Sequence, residues 1–183
     1  VIRPTVEVVP QRTRTKHIGV LATPGTVASE SYVIELLKQD PTLIVTQQAC
    51  PMWVPLIESG EHLSDGANYF VEKYLTELLT RDPLIDTIIL GCTHYPLLQP
   101  KIEAFLSSIA HSQSPVTNHH LSVASQGSIV ADSFADYLHR HPEFSQDSKG
   151  GTCKYLTTES AAKFSESASI FLSEPITAHH IEL

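Results

Sequence analysis

A thiol, a hydroxyl and an imidazole follow one another at Cys92, Thr93 and His94, inside the stretch Gly91-Cys92-Thr93-His94-Tyr95-Pro96. A thiol acts as a base or nucleophile only as its thiolate, and a neighbouring imidazole or a helix N-terminus favours that form. The cluster follows the apolar run Ile85-Asp86-Thr87-Ile88-Ile89-Leu90, so it sits where a buried parallel strand opens into a loop, the place where open α/β sheets bind ligands. By position alone Cys92 also reads as a buried strand-end cysteine. The crowding of three polar groups at one strand end points instead to a working thiol.

Two other strand ends carry polar groups. Thr23-Pro24-Gly25-Thr26 offers hydroxyls and helix-start N–H groups, which attract carboxylates or phosphates; its plainer reading is a turn with Thr26 as N-cap, and the two can hold together. Ala49-Cys50-Pro51 runs on to Val54-Pro55-Leu56-Ile57-Glu58. Glu58 is there either a partly buried carboxylate able to tune an imidazole such as His94, or a loop-surface glutamate. Met52 and Trp53 read as packing. The histidines at His119-His120, His139 with His141 and His179-His180 invite a metal, but adjacent strand histidines face opposite ways and none stands beside a cysteine at ligand spacing. No metal site and no cofactor is therefore assigned. Glycine-rich phosphate loops and a Gly-x-Ser-x-Gly elbow are absent from the sequence.

The elements that must position these groups alternate. After an irregular start, a strand is expected at His17 to Ala22, then a helix beyond Thr26 with Ala28, Tyr32, Val33, Leu36 and Leu37 on one face. A second strand is expected at Leu43 to Ala49. The clearest helix spans Ser64 to Arg81, with Ala67, Phe70, Val71, Tyr74, Leu75, Leu78 and Leu79 at helical spacing. The strand into Cys92 follows, then a helix near Gln99 to Ala110 and a polar link, His111 to His120. Beyond it come a strand near Leu121 to Ala124, a helix near Ser128 to His139, a loop to Gly151, a strand at Cys153 to Thr157, a helix near Ala161 to Leu172 and a last apolar stretch, Ile176 to Ile181. This is the pattern of a parallel sheet with crossover helices.

Composition narrows the partners. A net charge of −8 over 183 residues, with no basic cluster beyond Arg12 to Lys16, argues against a nucleic-acid surface. No apolar run reaches the length of a membrane span and none resembles a signal peptide. Three widely spaced cysteines, an odd number, do not form a disulfide framework, which favours a reducing cytoplasm.

In four places the sequence resembles glutamate racemase, of the aspartate/glutamate racemase superfamily. These are Gly19-Val20-Leu21-Ala22-Thr23 through Gly25-Thr26-Val27, Ala49-Cys50-Pro51 through Pro55-Leu56-Ile57-Glu58, Gly91 to Leu97, and Leu156-Thr157-Thr158-Glu159 with Phe164 behind it. His94 after the Cys-Thr pair fits the glutamate branch, since aspartate racemases tend to carry an acid there. The resemblance implies an α/β fold of three-layer, parallel-sheet domains, two of them facing each other across a cleft that holds the amino acid. It implies cofactor-independent exchange of L- and D-glutamate by two thiols flanking Cα, which supplies D-glutamate for peptidoglycan in the cytoplasm. Cys92 is by resemblance the second-domain thiol. Thr93 and His94 contact substrate or assist that thiol, Glu58 orients His94, and Thr23 and Thr26 belong to the substrate-binding set.

The Asp-Ser-Gly and Cys-Asn-Thr motifs that begin family members do not occur here. The chain accordingly resembles a C-terminal portion: 1–11 a linker from a missing N-terminal half-domain, 12–114 a complete second domain, and 115–183 the closing part of the first. Cys50 sits in a motif of its own, and Cys153 lacks the Asn-Thr context. A chain with one of two thiols is expected to be poorly active alone, with the missing half or a second copy as partner, and to expose apolar edges beyond residue 115. Two other readings remain: a non-catalytic carboxylate-binding or interaction module, and a racemase of another acidic amino acid such as aspartate.

Overall fold

Short β-branched runs become the strands and the longer helically periodic stretches become the helices. The computed structural model describes residues 2–111, 121–144 and 152–182, and it divides into two units, Val1–Tyr137 and Leu138–Leu183. In the first, strands β1 (His17–Ala22), β2 (Ile44–Ala49), β3 (Thr87–Leu90) and β4 (Ser122–Ala124) form a parallel sheet in the order β2-β1-β3-β4. The inner strands β1 and β3 are buried almost throughout, while β2 at the edge is only partly so, as expected for a sheet covered on both faces.

Alternation along β1 divides the core in two. Ile18, Val20 and Ala22 join Val6 and Val9 from the N-terminal helix α1 (Ile2–Val8) and its 3₁₀ extension. Tyr32 and Leu36 of α3 (Ser31–Gln39) and Ile129 of α7 (Gln126–Arg140) complete that face. Leu21, with Ile88 and Leu90, faces α4 (Trp53–Glu58), α5 (Asp65–Arg81) and α6 (Gln99–His111) on the other. This is the three-layer α/β class read from the sequence.

Three local expectations are corrected. The irregular start is a helix: Pro4 lies in its first turn, where a missing N–H costs nothing, and Val6 and Val9 are fully buried. The single helix expected after Thr26 is two, α2 (Pro24–Ala28) and α3, broken where Glu30 adopts a left-handed φ of 52°. The strand into Cys92 begins only at Thr87, and the carboxylate of Asp86 just before it faces the segment that precedes β1. It accepts the Thr13 hydroxyl at 2.6 Å, the N–H groups of Arg14 and Thr15 at 2.6 and 2.9 Å, and the Thr87 hydroxyl at 3.0 Å. Burial opposes ionisation of Asp86, but these bonds outweigh it and hold the carboxyl below its ordinary range.

The boundary expected at 114/115 lies outside the described residues, as does most of the polar link His111 to His120. β4 joins the sheet from beyond it. In the second unit, β5 (Tyr155–Thr157) and β6 (Ala178–His180) pair in parallel, with α8 (Ala161–Leu172) between them in sequence. Leu156, Phe164, Ile170, Phe171 and Leu172 of this unit are exposed.

Candidate active site

All strands of the four-stranded sheet are parallel, so their carboxyl ends share one edge. After β1 the chain moves outward to β2, then crosses back past β1 to β3. That reversal opens a crevice between the ends of β1 and β3, the switch point where doubly wound sheets bind ligands. Thr23 follows β1 and Cys92 follows β3. The loops are fastened there by backbone bonds beyond the ladder, from Gly91 N–H to Leu21 O and from Cys50 N–H to Ala22 O, both 2.8 Å.

Across this edge the structure brings together Cys92, His94 and Glu58. Cys92 Sγ lies 3.7 Å from His94 Nδ1, and His94 Nε2 lies 2.5 Å from Glu58 Oε1. A carboxylate can only accept, so Nε2 carries a proton, and in the neutral imidazole Nδ1 presents its lone pair to the thiol. Glu58 is the last residue of α4, and its side chain is 49% exposed while that of His94 is 26% exposed. Glu58 is thus a half-exposed residue at a helix end, within hydrogen-bond distance of an imidazole.

Two aromatic side chains set this geometry. Trp53 begins α4 and Tyr95 begins the 3₁₀ turn after His94; both are fully buried and their rings meet edge to face at 4.7 Å. The Tyr95 hydroxyl also donates to Cys50 O at 3.4 Å. The segments bearing Glu58 and His94 are thereby locked to one another, and burial pushes the Tyr95 hydroxyl's pKa upward. The packing reading of Trp53 agrees with this, whereas the anchoring part of Tyr95 had only its aromatic type as a sequence signal.

Thr23 is the N-cap of α2: its hydroxyl accepts the Thr26 N–H at 3.3 Å and lies 2.9 Å from the Thr26 hydroxyl. The capping residue is Thr23 where the sequence suggested Thr26. Thr93 is exposed on the same sheet edge. Cys50 is buried, its Sγ 3.6 Å from Gln48 O, and burial drives its thiol pKa far up, so it stays protonated. Cys153, in the second unit, is exposed.

Among the described residues no three His, Cys, Asp or Glu side chains gather as metal ligands. His119-His120 lies outside the described residues. His141 Nδ1 lies 2.9 Å from Glu143 Oε1, and His180 Nδ1 lies 3.0 Å from Glu159 O. No described helix is long and apolar enough to cross a membrane.

No protein-family model matches the chain. Over 171 residues it is 36% identical to glutamate racemase of Lactiplantibacillus plantarum, a match covering 91% of this chain and 57% of that protein. Its fold superposes on a glutamate racemase isoform of Bacillus anthracis with a TM-score of 0.82 at 28% identity, covering 100% of this chain and 63% of that one. The Francisella tularensis glutamate racemase, solved in complex with D-glutamate, shares the fold with a TM-score of 0.78 at 21% identity. The chain spans 57% of the length of the curated relative it matches.

Proposed function

This chain is a relative of the glutamate racemases, and from that kinship we propose that it is the part of such an isomerase that carries one of two proton-transferring thiols, Cys92. The observation that supports this best is the chain of contacts from Cys92 Sγ through His94 to Glu58 Oε1 at the sheet's switch point. Glu58 holds the Nε2 proton of His94, so Nδ1 can take the thiol proton and leave a thiolate. The thiolate then removes the Cα proton from one face of glutamate, and the electron pair is held as the carbanion delocalises into the α-carboxylate. Thr93, Thr23 and Thr26 supply hydroxyl and N–H donors for the substrate carboxylates.

Inversion requires a second acid to return a proton to the opposite face. Cys50 is unsuited, being buried and protonated. The second thiol is assigned to the stretch of the relatives' length that this chain does not span, and the exposed apolar side chains of the second unit, among them Leu156 and Phe164, are the surface such a stretch would cover. D-Glutamate formed in this way would feed peptidoglycan synthesis in the cytoplasm.

The test is hydrogen exchange at Cα, followed by NMR in D₂O with L-glutamate, D-glutamate and aspartate. The expected result is exchange of one glutamate enantiomer without inversion, abolished in Cys92→Ser and slowed about 10- to 100-fold in Glu58→Gln, as for loss of a group that orients a catalytic imidazole. Inversion of both enantiomers by this chain alone would place both acids within it and overturn the one-thiol reading. Glutamate binding without exchange, even after the remaining portion of a glutamate racemase is added, would replace the isomerase by a binding module.

A further inference from the structure

Gln126 is a polar side chain buried to within 7% of full enclosure, behind the strand end that presents Cys92. The β3–β4 ladder runs from Thr87 opposite Ser122 to Ile89 opposite Ala124, and Ser122 N–H donates to Asp86 O. Beyond Ala124 the chain turns into α7, whose first residue is Gln126, so backbone donors cease while Leu90 O still needs one. The Gln126 side chain supplies it: Nε2 donates to Leu90 O at 2.7 Å, at the same 36-residue separation as the contact between Ser122 and Asp86 O.

The second hydrogen of Nε2 goes to the Tyr32 hydroxyl. Tyr32 is 1% exposed, and its ring lies so near Gly91 that a Cβ there would stand 3.1 Å from Tyr32 Cε2. The two residues before Cys92 are thus held on three sides: the Leu90 carbonyl by Gln126, the Gly91 N–H by Leu21 O, and the Gly91 Cα by the Tyr32 ring. Leu90 O can only accept, which fixes the amide orientation and leaves Gln126 Oε1 buried with no partner among the described residues. A leucine would fill the space without the unpaired amide oxygen but would leave Leu90 O and the Tyr32 hydroxyl without this donor, so what Gln126 supplies is the pair of hydrogen bonds to the strand end and to Tyr32.

We propose that Gln126 is a positioning residue for the Cys92 thiol, acting on the Leu90-Gly91 segment directly and through Tyr32 to fix the approach of Sγ to His94. The inference rests on the reading of Cys92 as a proton-transferring thiol, and it is tested without glutamate. The full chain is alkylated with iodoacetamide from about pH 6 to pH 10, and each cysteine is followed separately by peptide mass spectrometry, with Cys153 as internal reference. Gln126→Leu removes both donors and keeps the volume. It is expected to slow Cys92 alkylation at pH 7 by about three- to tenfold, because the thiol loses the imidazole's help in ionising, with the rates converging at high pH and Cys153 unchanged. Tyr32→Phe keeps the ring and the Leu90 bond, and should show a smaller change in the same direction.

A purely structural residue would lower the urea midpoint and leave the pH profile of Cys92 in place. An unchanged profile in folded Gln126→Leu therefore overturns the proposal, and if that variant does not fold, an unchanged profile in Tyr32→Phe does so. Failure of glutamate exchange with an altered profile would overturn the racemase reading alone. Exchange that depends on Cys92, with an unaltered profile, would overturn the positioning role alone.

Discussion

Replacing Gly91 with alanine adds one methyl group at the most crowded point of the site. Its Cβ would stand 3.0 Å from Leu21 O, 3.1 Å from Ala22 Cβ and 3.1 Å from Tyr32 Cε2. Ordinary contacts of this kind begin several tenths of an ångström further out, and none of the three neighbours is the loose end of a flexible side chain. Two belong to the inner strand β1, and the third is a buried ring hydrogen-bonded to Gln126. Overpacking against rigid neighbours costs about 1–3 kcal/mol. Gly25 provides the control, because a Cβ there meets nothing within 4 Å and the residue lies within α2. Alanine is favoured over glycine inside a helix by about 0.5–1 kcal/mol, so Gly25→Ala should be neutral to stabilising. Trp53 is the sole tryptophan and is fully buried in the first unit, so its fluorescence follows the unfolding of that unit in urea. With a urea m-value of about 1–3 kcal/mol/M, Gly91→Ala should lower the midpoint by roughly 1 M. A Gly91→Ala midpoint equal to wild type, or a Gly25→Ala loss as large as that of Gly91→Ala, would refute the steric reasoning.

Two further outcomes are expected. Asp86 has its carboxyl held below the ordinary range in the folded chain, so it stabilises the fold above the unfolded carboxylate value of about 3.9, and that contribution is lost as pH falls through the folded value. Asp86→Asn should cost about 2–4 kcal/mol near neutrality and flatten the acid limb of a stability-against-pH curve from urea titrations; an unaltered acid limb would contradict the assignment. In the native chain iodoacetamide should label Cys153 and Cys92 while Cys50 stays protected until urea unfolds the first unit, and labelling of Cys50 without denaturant would contradict its burial.

Much of this architecture is legible in the residues, for identifiable reasons. Helix α5 announces itself through helical spacing and Ser64, which caps it by accepting the Ala67 N–H; β1 and α8 fall where β-branched alternation and amphipathic spacing put them. Cys92, His94 and Glu58 were candidates by residue type, and their assembly depends on contacts between positions 36 residues apart, which spacing cannot give. The N-terminal helix was hidden because it carries Pro4 in its first turn and Pro10 in the 3₁₀ turn that follows, and prolines break helices everywhere but near their starts. Gln126 gave no signal at all, since an exposed helix-start glutamine and a buried substitute for a ladder bond look alike in sequence. Asp86 did leave a trace, as a charge inside an apolar run.

The strand order has a consequence for how the molecule breathes. β1 and β3 are each bonded on both sides, whereas β2 and β4 each keep an edge that no described strand pairs with. Amides in the middle of the inner strands, such as Val20 and Ile89, can exchange their hydrogens only when the whole unit opens, while edge amides exchange through smaller, cheaper fluctuations. The slowest-exchanging described part of the first unit therefore ends within one or two residues of Thr23 and Cys92. The chemistry stands on the most cooperative element of the first unit, so any lesion that lowers the unit's global stability also raises, by the same factor, the fraction of time in which the base of the site does not exist.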